Sequence, residues 1–84
     1  MNNRQRKTLD AVFSKPTRAN IPWADIESLL IAVGCEVVEG AGSRVRFEFK
    51  GVVATFHRPH PAKEAMRYQV REARDYLTEL EMIP

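Results

Sequence analysis

The sequence predicts an α+β fold: a small antiparallel sheet with helices packed on one face and the other face open to solvent. Three observations carry that expectation. In "RVRFEFK" the residues Val45, Phe47 and Phe49 alternate with Arg44, Arg46, Glu48 and Lys50, the period of a half-buried strand. Lys50-Gly51 then suits a two-residue hairpin turn before a second strand, "VVATFH". Segments on both sides of this hairpin place their apolar residues at helical spacing. A chain of 84 residues has room for one modest core.

The elements follow in order. Leu9, Val12 and Phe13 recur at helical spacing, which predicts a short helix over about Asn3 to Phe13 with Arg4, Arg6 and Lys7 in solvent. The turn formers of "SKPTRAN" follow as a linker. Residues 1–20 are thus expected as an N-terminal helix and linker, and residues 21–84 as the main domain. In the next segment Pro22 suits a helix start, Asp25 and Glu27 complement its positive end, and Gly34 stops it. Ile26, Leu29, Leu30 and Val33 form its apolar face, with Trp23 covering the edge of the core. "CEVVE" predicts a first strand, closed by the glycine-flanked turn "GAGS". After "RPHP" breaks the hairpin's second strand, a last helix is expected from about Ala62 to Glu81. Met66, Val70, Ala73, Leu77 and Leu80 would face the sheet, with Lys63, Arg67, Arg71 and Arg74 as a basic stripe beside them. Leaving the N-terminal helix aside, helix–three strands–helix is the element order of double-stranded-RNA-binding domains.

Charge narrows the function. From Arg44 to Arg74 there are eight bases and three acids, a formal +5, which leaves −3 for the remainder of a chain whose net charge is +2. That asymmetry suits a polyanionic partner, nucleic acid before anionic membrane. No apolar run is long enough to span a bilayer, and "MNNRQRKTLD" has no signal-peptide stretch, so a cytoplasmic location is expected. Cys35 is the one cysteine and has no partner for an internal disulfide. Two histidines without a companion carboxylate or cysteine make a poor ligand set, so neither metal nor cofactor is expected.

Counting outwards from Lys50-Gly51 pairs Arg46 with Thr55 and Arg44 with His57. Opposed residues share a face, so Arg44, Arg46, Thr55 and His57 belong together on the open side, while Val45, Phe47, Ala54 and Phe56 face the core. A slip of one residue would send His57 inwards. Arginines at fixed strand positions suit phosphate oxygens, and an imidazole beside them suits acid/base work on a ribose hydroxyl. His60 lies just before the basic helix, within reach of the same phosphate. The turn before Ser43 offers backbone amides. The same residues also fit a face that only binds a polyanion, and the helical stripe also fits a solvated edge.

With these residues set out, the chain resembles the HicA-type toxins of bacterial toxin–antitoxin modules. The resemblance runs through "IPWADIESLLIAVGCEVVEGAGSRVRFEF", then "FHRPHPAKE", then "YQVREARDYL". It implies a domain like the double-stranded-RNA-binding fold and a metal-independent ribonuclease that cleaves messenger RNA and so inhibits translation. It also implies a HicB-type antitoxin partner covering the active face, with self-association only through that partner. The family's catalytic histidine follows Gly-Ser, and here that position is Arg44. The expectation is therefore that His57, or next His60, supplies the acid/base function. Ser43, Arg44, Arg46, Arg58, Lys63, Arg67 and Arg71 would contact RNA phosphates. Two other functions fit the same surface: a binding module of this fold without catalysis, and a protein-interaction domain with a basic face.

Overall fold

The computed structural model describes all 84 residues, Met1 to Pro84. They form α1 (Asn3–Val12), α2 (Trp23–Val33), β1 (Glu36–Glu39), β2 (Arg44–Phe49), β3 (Val52–His57) and α3 (Arg67–Glu79). The strands make one antiparallel sheet in the order β1-β2-β3. The fold is α+β and has the element order of a double-stranded-RNA-binding domain, with one helix added in front. No helix is long and apolar enough to cross a membrane.

Local chemistry explains each boundary. Asn2 caps α1 by accepting from the Gln5 amide, and Gln5 answers by accepting from the Asn2 N–H. Gly34 ends α2 at φ +117°, a left-handed backbone that glycine tolerates, and the Cys35 N–H closes the cap on the Leu30 carbonyl. A Cβ at Gly34 would also come within 2.9 Å of the Phe49 ring. Lys50 and Gly51 both have positive φ, 50° and 83°, as a type I′ hairpin turn requires. The hairpin register is the one counted from the sequence, with Arg44 opposite His57 and Arg46 opposite Thr55.

The core lies between the sheet and the helices. Val45, Phe47 and Phe56 meet Ile26, Leu29 and Leu30 of α2 and Val70, Ala73 and Leu77 of α3. Leu9 and Val12 of α1 enter the same cluster. Trp23 is buried and stacks at a tilt on Phe56, 5.2 Å between ring centroids, so it is a core residue. Tyr76 is buried as well and donates to the Val52 carbonyl at 2.9 Å, which ties α3 to the base of the hairpin.

One expectation is corrected. The last helix begins at Arg67, five residues after the Ala62 expected from spacing. Residues 63–65 are extended instead, because their backbone is already bonded to the start of α2. The Trp23 N–H donates to the Lys63 carbonyl at 2.9 Å, and the Ala65 N–H donates to the Ile21 carbonyl at 2.8 Å. Pro59 and Pro61 bias the residues before them towards extended backbone too. Lys63 therefore lies off the helix, and Met66, expected in the apolar stripe, is an exposed residue at the cap.

Candidate functional site

The open face of the sheet holds a shallow groove of about 530 Å³ lined by Val38, Glu39, Gly40, Arg44, Arg46, Thr55 and His57. Strand alternation builds it. Arg44 and Arg46 are successive outward positions of β2, and Thr55 and His57 are their partners on β3. Gly40 and the loop behind it form one end, where the Gly40 N–H donates to the Arg44 carbonyl and the Arg44 N–H donates to the Ala41 carbonyl. Arg44 has no carboxylate partner, whereas Arg46 pairs with Glu48 along the strand at 2.9 Å. Both members of that pair are well exposed, so it contributes at most about 1 kcal/mol and leaves Arg46 available to a stronger anion.

His57 is fixed from two sides. Its Nδ1 lies 3.3 Å from Ser43 Oγ, in the loop before β2. Its carbonyl accepts from Gln69 Nε2 at 2.6 Å. Gln69 is buried on α3, and its side-chain oxygen accepts from the Met66 N–H. The same amide thus caps α3 and holds the end of β3, a joint that the strand and helix patterns do not reveal. The signal in the sequence is a glutamine three residues into a helix with no capping side chain before it. Ser43 is drawn in further by its carbonyl, which accepts from the Arg58 N–H at 2.9 Å.

Arg58 itself sits elsewhere. One residue past the end of β3, its side chain leaves on the helix side of the sheet. There its guanidinium bonds Glu27 of α2 at 2.6 and 3.2 Å and Glu39 of β1 at 2.6 and 2.9 Å. Trp23 donates its indole N–H to the same Glu27. The guanidinium holds the Glu39 carboxyl below its ordinary value, and the two carboxylates push Arg58 further up. Glu39 borders the groove, but it stands opposite core-facing Val45 and its carboxylate is bonded to Arg58 on the helix side, so the groove keeps a positive balance.

The remaining expected residues are dispersed. His60 and Lys63 are exposed on the extended segment after β3, outside the groove. Arg67, at the start of α3, donates to the Thr17 carbonyl at 3.3 Å, and Arg71 is exposed one turn later. Arg74 is turned to the linker, where it donates to Thr17 Oγ1 at 3.1 Å. The geometry thus brings together Ser43, Arg44, Arg46 and His57.

Comparison with known proteins identifies the family. The model of the HicA toxin of bacterial toxin–antitoxin modules matches residues 23–80, from the first residue of α2 to just past α3. A search of curated proteins and a search of solved structures find no match. The match spans more than two thirds of the chain and all three strands, and the chain belongs to the HicA toxin family.

Proposed function

We propose that the protein is the ribonuclease toxin of a toxin–antitoxin pair, cutting messenger RNA at the open face of its sheet with His57 as the acid/base group. The observation that carries this reading is the cross-strand pairing of Arg44 with His57, which puts a free guanidinium and an imidazole on one groove. Arg44 stands where the family's histidine is expected, and the imidazole reaches the same face from the neighbouring strand.

The chemistry divides among the residues present. Arg44 and Arg46 hold the phosphate oxygens and meet the charge that builds on them as the ribose 2′-oxygen attacks phosphorus. His57 takes the 2′-hydroxyl proton as the new P–O bond forms and the bond to the 5′-oxygen breaks. The departing 5′-oxygen then takes a proton from solvent. Ser43 Oγ, 3.3 Å from Nδ1, orients the ring, and in the tautomer with the proton on Nδ1 the other nitrogen, Nε2, is the one that would serve as base. No metal takes part in these steps. A HicB-type antitoxin would silence the toxin by covering the groove, and the protein would act in the cytoplasm.

One observation supports a second reading. Arg44 in the histidine's place is consistent with a module that binds RNA on the same face without cutting it. Inducing the chain alone in cells, with RNA integrity and growth followed over time, separates the two. Wild type is expected to arrest growth and degrade messenger RNA, His57→Ala to do neither, and His60→Ala to retain most of the effect. Full activity in both histidine variants removes histidine catalysis, and intact RNA with wild type leaves the binding module.

A further inference from the structure

The sheet groove leaves one strongly charged region unused. Residues 1–20 carry Arg4, Arg6, Lys7, Lys15 and Arg18 against one acid, Asp10, a formal +4. They precede the span that matches the family, 23–80. They are nonetheless fastened to the domain. α1 buries Leu9 and Val12 in the common core, and Gln5 Nε2 donates to Ser28 Oγ on α2 at 3.0 Å. The linker is fastened to α3 by the bonds that Arg67 and Arg74 make to Thr17.

Two hollows flank this segment. One, of about 350 Å³, has Arg4, Lys7, Arg18, Asn20 and Asp25 in its wall. The other, of about 480 Å³, has Lys15, Thr17, Arg18, Asn20 and Arg67. Arg18 and Asn20 line both, so the hollows adjoin. The one carboxylate between them, Asp25, is taken by Arg4 in a two-pronged pair at 3.0 and 3.3 Å. Lys7, Lys15 and Arg18 are exposed and have no carboxylate partner. Three unneutralised cations on adjoining concave surfaces repel one another until an anion arrives.

We propose that the N-terminal segment is a second RNA-binding surface, contacting phosphates of the strand outside the sheet groove. It rests on the reading of the chain as an RNA-directed toxin. Neither hollow is lined by an aromatic side chain, so the contacts are to backbone phosphate and carry no base stacking. A protein partner is disfavoured because an interface needs an apolar centre, and these hollows offer only Ala11, Ala19, Ile21 and the two prolines, with Ile21 already buried. The surface would lengthen the footprint on RNA and raise affinity without reading sequence.

The test is binding of the full chain to a 2′-O-methyl RNA, which has no attacking hydroxyl, at several salt concentrations. The triple variant Lys7→Gln/Lys15→Gln/Arg18→Gln is expected to bind roughly 5- to 30-fold more weakly at 0.1 M salt. Its slope of log affinity against log salt should shrink by about 2, the value for three lost contacts to a single strand. Arg6→Gln, on α1 but outside both hollows, should change neither. Unchanged affinity and slope in the triple variant overturn the proposal, as does an effect confined to binding of the protein antitoxin. Arg44→Gln measured alongside keeps the two levels apart. If it weakens binding and the triple variant does not, only this inference falls. If wild type does not bind the RNA, the RNA reading falls with it.

Discussion

His57 and Arg58 are neighbours in the chain, and their side chains leave the sheet on opposite faces into opposite kinds of chemistry. On the open side, His57 and Arg44 stand with no carboxylate partner and face a groove. On the helix side, Arg58 spends its whole guanidinium on Glu27 and Glu39 and joins α2, β1 and β3 at one point. The comparison teaches that an arginine's place in a basic run says little about its role. Strand parity says more, because it separates an arginine that can meet a ligand from one already neutralised. The two clusters are also connected. Arg58 neutralises Glu39 at the groove's border, and its backbone N–H holds the Ser43 loop against His57.

That contrast can be sharpened by substitution. Arg44→Ala should lower RNA cleavage by roughly 10- to 100-fold, through lost phosphate contact, while leaving thermal stability within about 0.5 kcal/mol. Kinetic and melting measurements on one preparation check both halves. Arg58→Ala should do the reverse in the first instance, destabilising the fold by about 1–3 kcal/mol because Glu27 loses its charged partner in a mostly buried setting. It should also weaken RNA binding severalfold, since the Glu39 carboxylate at the groove's border is then left without its neutralising cation. Adding Glu39→Gln should restore the binding and not the stability, as denaturant unfolding beside a binding titration would show.

Smaller effects test the scaffold beneath both clusters. Tyr76→Phe removes a buried donor from two carbonyls, Val52 and Phe47, and should cost about 1–2 kcal/mol in urea unfolding with no change in RNA affinity. The acid limb of stability should depend on Glu39. Its folded carboxyl titrates below the ordinary value of 4.5, so the stabilisation from its pair with Arg58 is complete above about that pH. It is lost as pH falls through the lower folded value. Melting temperatures followed from pH 7 to pH 3 should therefore drop less steeply for Glu39→Gln than for wild type. Equal slopes would mean that the pair adds nothing to acid stability.

Most of the sheet was legible because its signals are local. Alternation from Arg44 to Lys50 and a turn that tolerates positive φ determine the register, and the register determines which residues face the groove. The same alternation carried one step further, from Ala54 and Phe56 to Arg58, would have sent Arg58 to the helix side. The start of α3 was not legible, because the bonds that keep residues 63–65 extended come from Ile21 and Trp23, forty or more positions away. Gln69 escaped for a similar reason, as its partner is the backbone of β3. The basic N-terminal segment was hidden by averaging. Its +4 disappears when it is summed with the acids of residues 21–43 and 75–84.

The proposed role of His57 is acid/base chemistry on RNA in the groove it shares with Arg44. Its most direct test is the single-turnover cleavage rate of purified His57→Ala at saturating RNA, with RNA affinity and melting temperature measured on the same sample. Loss of general acid/base catalysis should slow cleavage by roughly 100-fold or more, with affinity and stability close to wild type. A cleavage rate within twofold of wild type would contradict the claim.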